Sequence, residues 1–194
     1  MKIGILQTAP NNCAALDQLA RRYPGVEIVH YVDGCVWELY LAAGQRVTEK
    51  CAQIMAADFN KMLEAGCQRL GLLCNLIKPG VALAQTMVPQ PIVVYDDVQA
   101  RQAVLAAARQ AGKEVSVCKL CIEAAQHCLE ETGRTDWADA YVERFLRKHA
   151  GEYHAFVIPQ VPLTRLMPRL RDLPAPVFDS MEPFVEALAL GEEE

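Results

Sequence analysis

The chain predicts an α/β fold built on a mostly parallel sheet. Short apolar runs recur along it, helical patterns of a dozen or so residues separate them, and turn or cap residues punctuate the joins. Strands spaced by helices of that length indicate βαβ units, because parallel neighbours need a crossover connection.

Taken in order, Lys2 to Thr8 (KIGILQT) reads as the first strand, and Pro10-Asn11-Asn12 offers turn and N-cap chemistry for a helix through Tyr23. Val26 to Asp33 (VEIVHYVD) is the second strand, Thr48 to Ala65 an amphipathic helix closed by Gly66, and Arg69 to Cys74 the third strand. Pro91 to Asp96 (PIVVYD), Glu114 to Cys118 (EVSVC), His154 to Pro159 (HAFVIP) and Pro176 to Phe178 (PVF) follow as four more. Two parts of the chain echo one another: MKIGILQT parallels GKEVSVCK, and RLGLLCNLI parallels YHAFVIPQVPL. The expected arrangement is therefore two α/β lobes. Residues 1–96 form the first, completed by a returning strand and helix in 173–194, and residues 97–172 form the second. One continuous doubly wound sheet is the alternative.

Composition excludes several function classes. With 52% apolar residues in 194, the chain buries a real core. Nineteen basic against 24 acidic residues give a net charge of −5, and no basic stripe is present to neutralise a phosphate backbone, so nucleic acid is not an expected partner. No apolar run approaches the roughly 20 residues of a membrane span. The opening residues enter a strand without a signal-peptide pattern, which places the expected site of action in the cytoplasm. Its eight cysteines then read as reduced thiols.

In an open parallel sheet, ligands bind beyond the carboxyl ends of the strands, so Gln7-Thr8, Cys74-Asn75, Cys118 and Gln160 are expected at such edges. A thiol at the end of RLGLLC, just before a helix start near Pro79, sits where backbone N–H groups and the helix dipole favour a thiolate, which is a good base. The plain alternative is a small buried hydrophobe. Asn75 weighs against it, since a buried amide needs several partners whereas an amide at a site can hold a carboxylate.

These segments resemble the aspartate/glutamate racemase superfamily, which also holds hydantoin racemases, maleate isomerases and arylmalonate decarboxylases. The resemblance rests on IGILQT followed by Asn11-Asn12, on HYVD, on LEAGCQRLGLLCN, on PIVVYDD and on FVIPQVPLTRL. It implies two Rossmann-like lobes with parallel sheets flanked by helices and a ligand crevice between them. It also implies proton transfer at the carbon next to a carboxylate of a small amino acid or acid, without cofactor or metal. Cys74 matches the first catalytic cysteine, with Asn75 after it as a substrate-binding residue, and Thr8 and Asn12 are expected to hold the substrate beside them. Gln160 stands where the second cysteine is expected and is left a binding role. Cys118-Lys119-Leu120-Cys121 replaces a threonine-bearing motif, so Cys118 and Cys121 are candidates for the second acid or base, Cys118 by facing Cys74 across the crevice. A one-cysteine decarboxylase and a catalytically silent binder of a small carboxylate are the alternatives. A homodimer is left open.

Other signals carry simpler readings. One C-x-x-C beside His127-Cys128 lacks the second knuckle of a structural zinc site, and no tryptophan or proline framework supports a thioredoxin-like pair. His30 reads as a hydrogen-bonded strand residue, His149 and His154 as cations flanking a helix end, and Asp96-Asp97 as a helix cap. Trp37 and Trp137 read as packing residues. Arg165, Arg169 and Arg171 read as a solvated helix face, with Arg165 within reach of a carboxylate near Gln160, and the terminal Gly-Glu-Glu-Glu as a frayed tail.

Overall fold

The computed structural model describes residues 1–94, 97–159 and 161–191, and the side chains of all of these except 97–99, 103, 126, 129, 130, 161 and 162. The fold is α/β, with parallel sheets flanked by helices. The chain divides into two compact units, Met1–Tyr95 with Met181–Glu194, and Asp96–Ser180.

In the first unit, β1 (Lys2–Gln7), β2 (Glu27–Val32), β3 (Arg69–Leu72) and β4 (Ile92–Val94) form a parallel sheet in the order β2-β1-β3-β4. The two-residue period of a strand sorts the sheet into two faces. A side chain built on Gly4 would meet Met62 and Cys67, so Gly4, Leu6, Leu70 and Leu72 face α3 (Glu49–Glu64). There Met55, Phe59 and Met62 close the main core, with α2 (Gly34–Ala42) and α4 (Val81–Gln85) alongside. On the other face lie Ile3, Ile5, Gln7 and Gly71, covered by α1 (Cys13–Ala20) and α8 (Met181–Leu190). The helix α3 is capped by Thr48, whose hydroxyl accepts from the Cys51 N–H, and ends at Gly66, whose φ of +85° suits glycine. The sequence pattern missed α2. Its residues GCVWELYLA are apolar on most sides and show no clear helical period, although Asp33 caps it by accepting from the Cys35 N–H at 2.6 Å.

The second unit holds α5 (Asp97–Gln110), α6 (Glu123–Thr132), α7 (Thr135–His149) and a parallel pair, β5 (Phe156–Ile158) with β6 (Val177–Asp179). Ala138, Val142 and Leu146 of α7 pack with Phe156, Ile158, Leu166 and Leu170 to form its core. Two expectations change here. The EVSVC run at 114–118 is not a strand, because no neighbour pairs with its backbone among the described residues, and alternation alone does not make a ladder. The last strand does not return to the first unit with its helix: β6 pairs with β5, in the register Phe156↔Val177 to Ile158↔Asp179, and only α8 returns.

The arginine cluster is also more engaged than its sequence suggests. A 3-10 stretch, Val161–Arg169, carries Arg165 onto the buried Asp139 of α7 through two bonds of 2.8 and 2.5 Å, a bidentate pair. Arg169 pairs with Glu143, and Arg147 clasps Asp172 and the Arg169 carbonyl. Trp37 stacks on Tyr40 as a packing residue, whereas Trp137 is 49% exposed beneath the Arg134 guanidinium. His149 lies in the last turn of α7, bonded to Glu152. Among the described residues, no helix is long and apolar enough to cross a membrane.

One buried charge in the first unit bears on stability. Asp58 of α3 is 1% exposed and accepts from Lys61 at 3.0 Å, while its second oxygen lacks a partner of good geometry among the described residues. Burial pushes its carboxyl above the ordinary 3.8, hydrogen bonding to Asp33 adds to this, and Lys61 opposes it. Because the folded value is raised, the contribution of Asp58 to stability is present below 3.8 and is lost as pH rises through the folded value. Asp58→Asn keeps an oxygen to accept from Lys61 without titrating. Its stability relative to the wild type is expected to rise between about pH 4 and about pH 7, measured as urea midpoints; a flat or falling difference would contradict this.

Candidate functional site

The carboxyl ends of β1 and β3 lie side by side, since β1 pairs with β3 from Ile3↔Arg69 to Leu6↔Leu72. β1 ends in Gln7 and leads into Thr8, while beyond Leu72 of β3 the chain passes through the buried Leu73 to Cys74. At this edge the Thr8 hydroxyl donates to the Cys74 Sγ at 3.5 Å. Both residues are half-buried, and Cys74 rests against the main core. Asn75 follows, half-buried, in the turn that leaves the strand.

The source of support for the Cys74 sulfur differs from the sequence argument. Pro79-Gly80 does not open a full helix: a 3-10 turn, Lys78–Gly80, precedes the five-residue α4, and Asn75–Ile77 intervene. A helix dipole acts within about its first turn, so this short, offset element adds little. Among the described residues, the hydroxyl of Thr8 is the donor that reaches the thiol.

A second set of polar groups lies on the α1 face of the same strand end. Gln7 is 1% exposed, and its amide N–H₂ donates to Nδ1 of His30 at 3.0 Å and to the Cys13 Sγ at 3.5 Å. With Nδ1 accepting, the His30 ring carries its proton on Nε2 and donates it to Asp17 at 2.9 Å. His30 is thus the hydrogen-bonded strand residue expected of it. The Gln7 Oε1 has no partner among the described residues. Asn12 precedes α1, and its half-buried side chain makes no capping bond. The Asp17–His30–Gln7–Cys13 chain was not foreseen. Its signal lay in Cys13 and Asp17, one helical turn apart and so on one face of α1, opposite a strand bearing histidine.

The remaining candidates are placed as follows. Cys118 and Cys121 belong to the second unit and are exposed, and the proximity of Cys118 pushes the Tyr153 phenol above its ordinary value. Gln160 and Asp96 lie outside the described residues, as do residues 192–194 of the terminal tail. Among the described residues, no group of three or more His, Cys, Asp or Glu side chains is gathered as a metal ion would require. A surface concavity of about 460 Å³ in the first unit, bordered by Asp17, Arg21, Tyr23 and Glu27, opens beside the start of β2 and does not include Cys74.

No protein-family model matches the chain, and no curated protein does. A solved structure described as that of "a putative Asp/Glu Racemase from Yersinia pestis" is similar with a TM-score of 0.66, over 97% of this chain and 97% of that one, at 14% identity. At that identity the likeness concerns the backbone architecture alone, and its conclusion is structural: this chain has the α/β fold of that structure.

Proposed function

We propose that the protein is a cofactor-independent enzyme of the racemase and isomerase kind. In this reading Cys74 is the base that takes the proton from the carbon next to the carboxylate of a small amino acid or acid. The observation that carries the reading is the Thr8 hydroxyl on the Cys74 sulfur at the carboxyl edge of a parallel sheet. The likeness of fold to a structure bearing the racemase description supports it.

The carbon acid is weak, so the reaction needs a positioned base and donors for the negative charge that develops on the carboxylate. A thiolate at Cys74 accepts the proton while Thr8 holds the sulfur in place. Asn75 and Asn12 carry amides able to donate to the carboxylate, and Asn12 has no capping bond to give up. The sequence supplies Gln160 rather than a second thiol, and an amide cannot return a proton from the opposite face. One-face exchange is the expected outcome.

The test is incubation of small chiral amino and hydroxy acids with the enzyme in deuterium oxide. Exchange read by NMR is expected to outrun inversion read by chiral chromatography. Inversion as fast as exchange would instead require a second acid, with Cys118 and Cys121 the first to substitute. The same Gln160 favours one other reading, a silent binder. Absence of exchange for every acid, together with a rise in melting temperature on adding one of them, would select it.

A further inference from the structure

We propose that Cys118 and Cys121 form a redox-active dithiol that closes reversibly to a disulfide by exchange with a low-molecular-weight disulfide. The proposal concerns the second unit alone and is independent of the function assigned to Cys74.

Exposure separates the cysteines. Cys51, Cys67 and Cys128 are buried, Cys13 and Cys74 are half-buried, and Cys35, Cys118 and Cys121 are exposed. A thiol must be reached by the disulfide it attacks, so the exposed ones are the candidates for exchange. Two of those three lie in one four-residue segment.

That segment is also able to bend. Residues 113–122 form neither helix nor strand, and among the described residues no backbone–backbone hydrogen bond holds 114–121. A disulfide needs Cα atoms about 4.4–6.8 Å apart, which a turn over 118–121 provides and an extended or ladder-bonded strand does not. Had EVSVC paired into a sheet, Cys118 would have been fixed at a strand end. Once one cysteine has reacted, the other is held close by the short chain between them, so ring closure is favoured over a second encounter with reagent.

The step balances with oxidised glutathione as the reagent. One cysteine thiolate attacks the reagent's sulfur, and one glutathione leaves. The second cysteine, as thiolate, displaces the other glutathione and forms the intramolecular S–S bond. The protein loses two electrons and two protons, and two glutathione molecules are formed. Closure also removes the Cys118 thiol, the foremost influence raising the Tyr153 phenol above its ordinary 10.0, so oxidation returns the phenol toward that value.

The experiment uses the intact protein equilibrated at graded ratios of oxidised to reduced glutathione, alkylated with iodoacetamide and digested with trypsin without reductant. Trypsin cuts after Lys119, between the two cysteines, so the reduced form yields two separate alkylated peptides. The disulfide keeps them joined, two hydrogens lighter than the sum of the same two peptides unalkylated at Cys118 and Cys121, and dithiothreitol separates them. More than half of the chains are expected in the joined form at a ratio where Cys35 is alkylated or carries glutathione alone. Cys121→Ser is expected to convert the product to a mixed disulfide on Cys118. Alkylation of both cysteines at that ratio, two separate glutathiones on one chain, or a bridge from either cysteine to another position would overturn the proposal.

Discussion

Replacing Cys74 by alanine is expected to cut deuterium exchange into an accepted acid by at least about 10²–10⁴-fold, the range that a positioned acid or base contributes. Cys74→Ser tests whether the loss is chemical, since it keeps the size and polarity of the side chain where it rests on the core but supplies a poor base; it should be as inactive as the alanine variant. Thr8→Val removes the only donor that the described residues direct at this sulfur. A hydrogen bond to a charged group contributes about 1.5–3 kcal/mol, and about 1.4 kcal/mol is tenfold in rate, so a loss of about ten- to hundredfold is expected. Thr8→Ser should recover most of it. Alkylation of Cys74 by iodoacetamide should slow in Thr8→Val, an effect that a role confined to packing would not produce. Full exchange in Thr8→Val would remove the observation on which the proposed function stands.

How much of this was readable beforehand depended on how local each cause is. The third strand was legible because Leu70, Gly71, Leu72 and Leu73 are buried by both layers of the first unit and therefore form an unbroken apolar run. Cys74 and Thr8 could be placed at strand ends for the same reason, and their contact follows from the pairing of β1 with β3. The segment at 114–118 carried an equally good alternation, yet a strand needs a neighbour, and Val115 is left 44% exposed. Arg165 misled in the opposite direction. Its spacing from Arg169 suggests a wet helix face, while its partner Asp139 lies 26 residues away on another helix. The Gln7 network was hidden similarly, since its members come from two strands and a helix, and pairing across elements leaves no period in the sequence.

Gly71→Ala is expected to destabilise the protein by about 1–3 kcal/mol before any compensation, because this strand glycine is a packing device. A Cβ there would sit 2.7 Å from the Phe184 ring and 2.8 Å from the Leu188 side chain, both fully buried on α8. Overpacking of this kind forces side chains off their rotamers or shifts the backbone. Alanine restricts the unfolded chain and returns about 0.4–1 kcal/mol, which is smaller, so the net effect remains a loss. The helix at risk is the one segment that leaves the second unit's sequence neighbourhood to cover β3 and β4 of the first. A double-mutant cycle locates the clash. Phe184→Leu deletes the end of the ring that the new methyl would strike, so the loss in the double variant should fall short of the two single losses summed by at least about 0.5 kcal/mol, the lower end of coupling between touching residues. Urea unfolding of the four proteins reads this directly. Strict additivity would mean that α8 shifts as a whole to admit the methyl, and the glycine would then be filling a space that the helix can yield.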